Sequence, residues 1–314
     1  MPEINEIEDL PRSEFISKYL AFNRPVKIKN LGGTDRLVDW TIENLVAKNG
    51  HQKVNVEHYP DGQRSSAFTY REMTLAEYVD LVTGSEDAQK HFFLAERPLE
   101  QMFPVHSNEY QLPDFVDANS SRRTVGFFGV NTFSTCHYHK LQTQAVITQV
   151  IGKKRLVMFQ PKDMRHLELH PWYSARPNHS TIPFDQDEME QLTAQYPRLA
   201  RTNPEVVELS EGESLFIPAH WMHTAEGIGS SLSITTFWGE NSKRAYRRGY
   251  YRDVASACTK SGMVFAASMG HRLGLDKLMV ATAVRLGVIK KNESDAVLEY
   301  LAEFGTRRPN ELKT

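Results

Sequence analysis

Between residues 124 and 238 the chain passes through the segments TVGFFGV, QAVITQVI, KRLVMFQ, EVVEL, SLFIP and SLSITTFW, each rich in β-branched or aromatic residues. Gly, Pro, Asn or charged residues bound each of them. Such side chains fit a pleated, half-buried surface, and the boundaries supply turns. A succession of short strands favours a jelly roll or small barrel, with function at an open end. One excursion, roughly 161 to 204, interrupts the strands and holds six prolines. It contains a short helical pattern at DEMEQLTAQY, and its length predicts a loop packed over one end of the β-structure.

The flanks read differently. SEFISKYL places Phe15, Ile16, Tyr19 and Leu20 on one helical face, and PVKIK then alternates Val26 and Ile28 with lysines as a half-buried strand does. Thr74-Leu-Ala-Glu77 is a capping box, so Leu75, Tyr78, Val79 and Val82 lie along the buried face of the helix that follows. After Trp238 the strands stop. YYRDVASACTKSGMVFAASM, LDKLMVATAVRLGVI and SDAVLEYLAEF space apolar residues by three and four, which predicts a helical tail able to pack back on the barrel or to form a dimer. The fold class expected is mainly β with flanking helices. The division expected is a β domain with its mixed α/β amino-terminal region over 1–240 and a helical region over 241–314.

A net charge of -2 and a pI near 6.6 give no global reason to expect a polyanionic partner or an anionic membrane. Cys136 and Cys258, the two cysteines, are far apart and lack CxxC spacing, so a disulfide framework is not expected and a reducing compartment fits better. The start MPEINEIEDLPRSEF has neither a basic nor an apolar stretch, and the apolar run at MVFAASM is too short to span a bilayer. These features together predict a cytoplasmic protein with no membrane partner.

His137 and His139 stand at i and i+2, which on a strand puts both imidazoles on one face. Alone, the pair is a chance-level motif in a chain with 12 histidines. GESLFIPAHWMH adds to it: a glycine turn, an apolar strand, a proline that ends ladder pairing, and then His223. Two ligands from one strand and a third from another make a mononuclear metal centre with open positions.

HYH, GKKR and GESLFIPAHWMH together resemble the cupin fold, and specifically the JmjC-like branch of Fe(II)/2-oxoglutarate oxygenases that includes protein-asparaginyl hydroxylases. FNRPVKIKN, the Trp40-Thr41 pair, REMTLAEYVD and HFFLAE are similar to that family's amino-terminal region, so the likeness covers about residues 10 to 240. It implies a double-stranded β-helix, Fe(II) and 2-oxoglutarate as cofactors, and dimerising carboxyl-terminal helices.

The family carries His-x-Asp or His-x-Glu where this chain has His-Tyr-His. In one register His137, His139 and His223 form a three-histidine site. In the other, counted back from Gly152, His139 is the first ligand and Leu141 occupies the carboxylate position, leaving a weak or dead centre. An imidazole in place of a carboxylate leaves the centre more positive, so iron competes with copper, zinc, nickel or manganese. Gln144 reads as a polar barrel lining rather than a fourth ligand.

In the family a lysine pairs with the distal carboxylate of 2-oxoglutarate, and Lys154 of the GKKR turn matches it. The family's accompanying hydroxyl falls on Thr135 or Ser134. The competing reading of Lys153 and Lys154 is a solvated turn. KRAYRRGYYR, 243 to 252, reads either as a nucleic-acid surface or, by default, as the solvated face of a helix. His220 and Trp221 are expected at the barrel mouth, His166, His170 and His179 on the surface, and Cys136 as a small buried thiol.

The reading that results is a mononuclear iron oxygenase hydroxylating a small-molecule, peptide or protein substrate, with RNA a further option and no catalytic residue beyond the metal ligands. The alternatives are a three-histidine dioxygenase that does not use 2-oxoglutarate and a non-catalytic binding barrel.

Overall fold

The computed structural model describes residues 4–31, 34–37, 39–65, 67–116, 122–139, 143–171, 176–184, 189–239, 275–285 and 297–298. Among them eleven strands form one sheet system in the order β1-β2-β10-β8-β11-β6-β5-β3-β4, with β7 beside β11 and β9 beside β8. The strands are β1 Asn5–Ile7, β2 Val26–Ile28, β3 Lys53–His58, β4 Thr69–Thr74, β5 Phe92–Pro98, β6 Arg122–Val130, β7 Phe133–His137, β8 Thr143–Phe159, β9 Glu205–Leu209, β10 Ser214–Ile217 and β11 Met222–Gly239. This is a mainly β architecture with flanking helices, consistent with the jelly roll expected.

Two long strands organise the barrel. QAVITQVI and KRLVMFQ, separate segments in the sequence, belong to the single strand β8, and GKKR is not a turn but the middle of that strand. β11 likewise runs from the third histidine through to Trp238. Each long strand serves both layers. β8 pairs with β10 over Ala145–Thr148 and with β9 over Lys154–Met158, while β11 follows β8 from Phe159 back to Thr143.

The corner lies at Gly152. Its φ is 70°, a left-handed conformation that glycine adopts at no steric cost, and a Cβ there would sit 2.1 Å from the Ser230 carbonyl oxygen. The β8–β11 register breaks at the same place, between Ile228 and Ser233. Side-chain alternation shifts with it. Ala145 and Ile147 belong to the barrel interior before the corner, and Leu156 and Met158 belong to the same interior after it, so the inward parity changes from odd to even.

Val125, Val207, Leu209, Leu215, Ile217, Trp221 and Phe237 complete that interior. Outside it, the helix Leu75–Gly84 lays Leu75, Tyr78, Val79 and Val82 against Phe128, Val130, Leu232 and Ile234. Its capping box is present: the Thr74 backbone N–H donates to Glu77 Oε2 at 2.7 Å, and Glu77 N–H donates to Thr74 Oγ1 at 3.2 Å. The amino-terminal helix over 12–22 buries Phe15, Tyr19 and Leu20 against Phe216 and Trp238. Ile16, expected on that face, is instead exposed, because the turn from Phe15 to Tyr19 is a π-helix and not the 3.6-residue helix the spacing assumed.

The excursion packs on the outside of β8 and β11, where Met164, Leu167, Ile182, Phe184, Leu192 and Leu199 join Val157, Phe159 and Met222. Its expected helix is Met189–Gln195. In the tail, the helix Asp276–Arg285 falls within LDKLMVATAVRLGVI. KRAYRRGYYR, Cys258 and most of the other two tail segments lie outside the described residues, as does the contact for the expected dimer. No described helix is long and apolar enough to cross a membrane.

Candidate metal centre

His137 ends β7 and sits directly opposite His223 in the β7–β11 pairing. The approach to it is bulged. From Ser134 to His137 is three steps on β7, whereas from their partners Ala225 to His223 is two on β11, so one extra residue is absorbed just before His137. Such a bulge re-aims the side chain that follows.

His137, His139 and His223 converge, each offering one ring nitrogen, with these atoms all within 4.8 Å of one another. Their ring centroids are 4.6 Å apart for His137 and His223, 4.8 Å for His139 and His223, and 5.7 Å for His137 and His139. Two of the rings are oriented by backbone carbonyls. His137 Nδ1 lies 2.7 Å from the Thr135 oxygen and His223 Nδ1 lies 3.0 Å from the Trp221 oxygen, so a proton on Nδ1 donates to each carbonyl and leaves Nε2 with its lone pair. His139 Nδ1 is buried with no hydrogen-bond partner among the described residues. An unpaired buried nitrogen beside two oriented imidazoles fits a metal ion.

Burial holds His223 down to about 3, with the neighbouring His137 adding to the effect. The same cause, reinforced by His223 and His137, holds His139 well below the ordinary imidazole range. His139 and His223 are therefore neutral near pH 7, the state a metal ligand requires. This convergence is the one the three-histidine register expects; Leu141 lies outside the described residues.

The histidine in the excursion departs from expectation. His179 is not a detached surface residue but forms an isolated β-bridge with His137, and its ring stacks on that of His137 at 4.9 Å and 17°. Backbone pairing across the two segments, Ser180 N–H to the Cys136 oxygen and Tyr138 N–H to the Asn178 oxygen, brings it there. His166 and His170 are half-buried.

Lys154 shares the inward parity of Leu156 and Met158 and is buried, which overturns the solvated-turn reading. Its Nζ donates to Ser233 Oγ at 2.7 Å and lies 5.5 Å above the Phe127 ring. Gly227 is its cross-strand neighbour and adds no side chain. Among the described residues no carboxylate pairs with the ammonium, and burial lowers its pKa to about 8. The hydroxyl that meets Lys154 is thus that of Ser233, a residue the sequence reading missed. Its inward place in SLSITTFW was the available signal. Thr135 acts here through its carbonyl, towards His137.

Gln144 Oε1 accepts from the Ala219 N–H at 2.9 Å, on the face of Val146 rather than of Ala145, so it ties down the loop before His223 instead of lining the barrel. In that loop His220 adopts φ 65°, is buried and is pushed down to about 4 by that burial. Trp221 reaches the interior and donates to the Asn23 oxygen at 2.9 Å. Cys136 is a buried thiol among apolar neighbours, which raise its pKa.

Comparison with known proteins places this geometry in context. The chain is 29% identical over 251 residues to tRNA wybutosine-synthesizing protein 4 of Aspergillus oryzae, covering 75% of this chain but 23% of that protein. It is 22% identical to tRNA wybutosine-synthesizing protein 5 of Danio rerio over 267 residues, 78% of this chain and 77% of the relative. The human protein 5 matches at 22% over 258 residues, 75% and 77% of the two chains. The chain therefore spans about a quarter of the protein 4 relative and about three quarters of the protein 5 relatives. These relatives are named for tRNA modification, not for the protein-asparaginyl hydroxylation that the sequence motifs resembled. The model of the cupin-like domain matches residues 11–244, from β2 through β11 and including all three histidines, and the chain belongs to the cupin-like domain family.

Proposed function

We propose that this protein is a metal-dependent oxygenase that uses 2-oxoglutarate to hydroxylate a nucleoside of RNA, with Fe(II) held by His137, His139 and His223. The observation that carries the reading is the convergence of three imidazoles in the same barrel as a buried lysine that has no carboxylate partner among the described residues. Bound iron and 2-oxoglutarate would supply oxygen activation and the two electrons that hydroxylation of a C–H bond requires.

The chain's own residues prepare the site. The Thr135 and Trp221 carbonyls hold His137 and His223 in the tautomer that directs Nε2 to the ion. Lys154 neutralises the distal carboxylate of the co-substrate, and Ser233 Oγ holds the ammonium in place for it. Thr135 is the further candidate for a co-substrate hydroxyl contact. RNA as substrate rests on the names of the relatives, and small-molecule or peptide substrates are the competing classes.

Anaerobic addition of Fe(II) and 2-oxoglutarate to metal-free protein is expected to produce a metal-to-ligand charge-transfer band, and incubation with tRNA under oxygen is expected to yield succinate. Loss of both results overturns the reading. A second reading, a three-histidine dioxygenase without 2-oxoglutarate, is favoured by the lack of a carboxylate among the described residues that converge there. Oxygen uptake with substrate in the absence of 2-oxoglutarate selects it.

A further inference from the structure

One face of the β3–β4–β5 sheet carries side chains that the metal centre does not use. Glu57 on β3 and Tyr70 on β4 are cross-strand partners, so both point to this face. The Arg97 guanidinium lies 4.9 Å from the Tyr70 ring centroid and 4.0 Å from Glu57 Oε1. Phe68 lies 5.3 Å from Tyr70 and 5.2 Å from Tyr59, and the Arg176 guanidinium, from the excursion, lies 4.7 Å over the Phe68 ring. The result is a contiguous row, Arg176, Phe68, Tyr70 and Arg97, in which two cations flank two rings.

The carboxyl within this row is Glu57. It is buried, accepts the Tyr59 hydroxyl at 2.5 Å, and is raised by burial to about 7. It therefore offsets only part of the charge of the two guanidiniums. Tyr70, meanwhile, is 48% exposed. The Arg97 guanidinium steadies the Tyr70 ring by a cation–π contact and leaves much of it open to a ligand.

The row is continuous with the barrel interior. Phe68 and Phe127 both pack against Tyr59, Phe93 and Ala95, and Phe127 is the ring beneath Lys154. Arg176 stands three residues before His179, which stacks on His137. Through Phe127 and through the segment from Arg176 to His179, the row adjoins residues that contact Lys154 and His137.

We infer that this face binds single-stranded RNA, with bases stacking on Tyr70 and Phe68 and phosphates pairing with Arg97 and Arg176. Alternating rings and guanidiniums match the alternation of base and phosphate along an unpaired strand, and an acidic peptide offers no planar faces to such rings. The inference rests on the reading of the chain as acting on RNA, and it names the surface that would present the nucleotides flanking the reacting one.

The test measures binding without turnover. A fluorescein-labelled oligouridylate of about ten nucleotides is titrated with full-length protein at several salt concentrations. Tyr70→Leu is expected to weaken binding about tenfold with an unchanged salt dependence, because it removes a stacking platform and no charge. Arg176→Gln is expected to lower the slope of log affinity against log salt by about 0.7, the loss of one phosphate contact to a single strand. Wild-type affinity and slope in both variants overturn the inference, as does competition by polyglutamate equal to that by unlabelled oligouridylate. His223→Ala is expected to bind the oligonucleotide as the wild type does. If it does so while wild-type protein and tRNA yield no succinate, the proposed oxygenase activity fails and the RNA surface stands.

Discussion

Lys154 on β8 donates to Ser233 on β11 at 2.7 Å, inside the barrel and past the corner that Gly152 makes. The two residues belong to strands related by the register break, and neither could meet the other if β8 kept one alternation from end to end. The bond holds a cation where burial opposes charge, so a gain from an anionic ligand is built into the fold.

Replacement of that lysine has a stability consequence with a definite sign. Burial lowers Lys154 to about 8 in the folded protein, while the unfolded chain keeps its proton up to the ordinary value of 10.5. The unfolded state then binds more protons between these limits, and wild-type stability from this group rises with pH through that window. Lys154→Met lacks the slope and is expected to be more stable below pH 8, by up to about 3 kcal/mol, with the advantage fading towards pH 10. Thermal melts from pH 7 to 10 check it. On the proposed function, 2-oxoglutarate is expected to raise the melting temperature of the wild type and not that of this variant.

Metal analysis of purified variants tests the three-histidine set. On the proposed function the wild type is expected to retain a metal ion, and His137→Ala, His139→Ala and His223→Ala are each expected to lose most of it, since the three nitrogens lie within reach of one ion. Retention in His137→Ala alone, with loss in the other two, would instead select the register that starts at His139.

Gly152→Ala places a Cβ 2.1 Å from the Ser230 carbonyl oxygen and forces a non-glycine residue to φ 70°. Backbone cannot move aside as a side chain can, so a loss of about 2 kcal/mol or more is expected. Chemical denaturation measures it, and weakened 2-oxoglutarate binding should accompany it because Lys154 follows the same corner.

Tyr78 tests the scaffold apart from the site. Its hydroxyl donates to the Phe128 oxygen at 2.8 Å and accepts from the Leu94 N–H at 3.1 Å, joining β6 to β5 beside the break in their pairing. Tyr78→Phe leaves two buried backbone groups unpaired and is expected to cost about 1–3 kcal/mol while metal content stays at the wild-type level. Denaturation and metal analysis of the same sample separate the two effects.

Local chemistry was readable from the chain alone. The strands from TVGFFGV to SLSITTFW, the capping box at Thr74 and the buried face of its helix all follow from alternation, propensity and capping, which act over a few residues. The same holds for His137, His139 and His223 as candidate ligands, because strand parity and the position of a proline are local facts.

The tertiary structure decided what depends on where distant strands meet. Gly152 turns β8 without ending it, and only the pairing with β11 shows that this corner carries Lys154 inward to Ser233. His179 had no local signal to link it with His137, since a backbone bridge across about forty residues brings the two rings together. Arg176 and Arg97 join one row with Phe68 and Tyr70 only when the excursion folds back over the β3–β4–β5 sheet. Side-chain direction along a strand is set by its own backbone, but the partners it meets are set by register, and register belongs to the whole sheet.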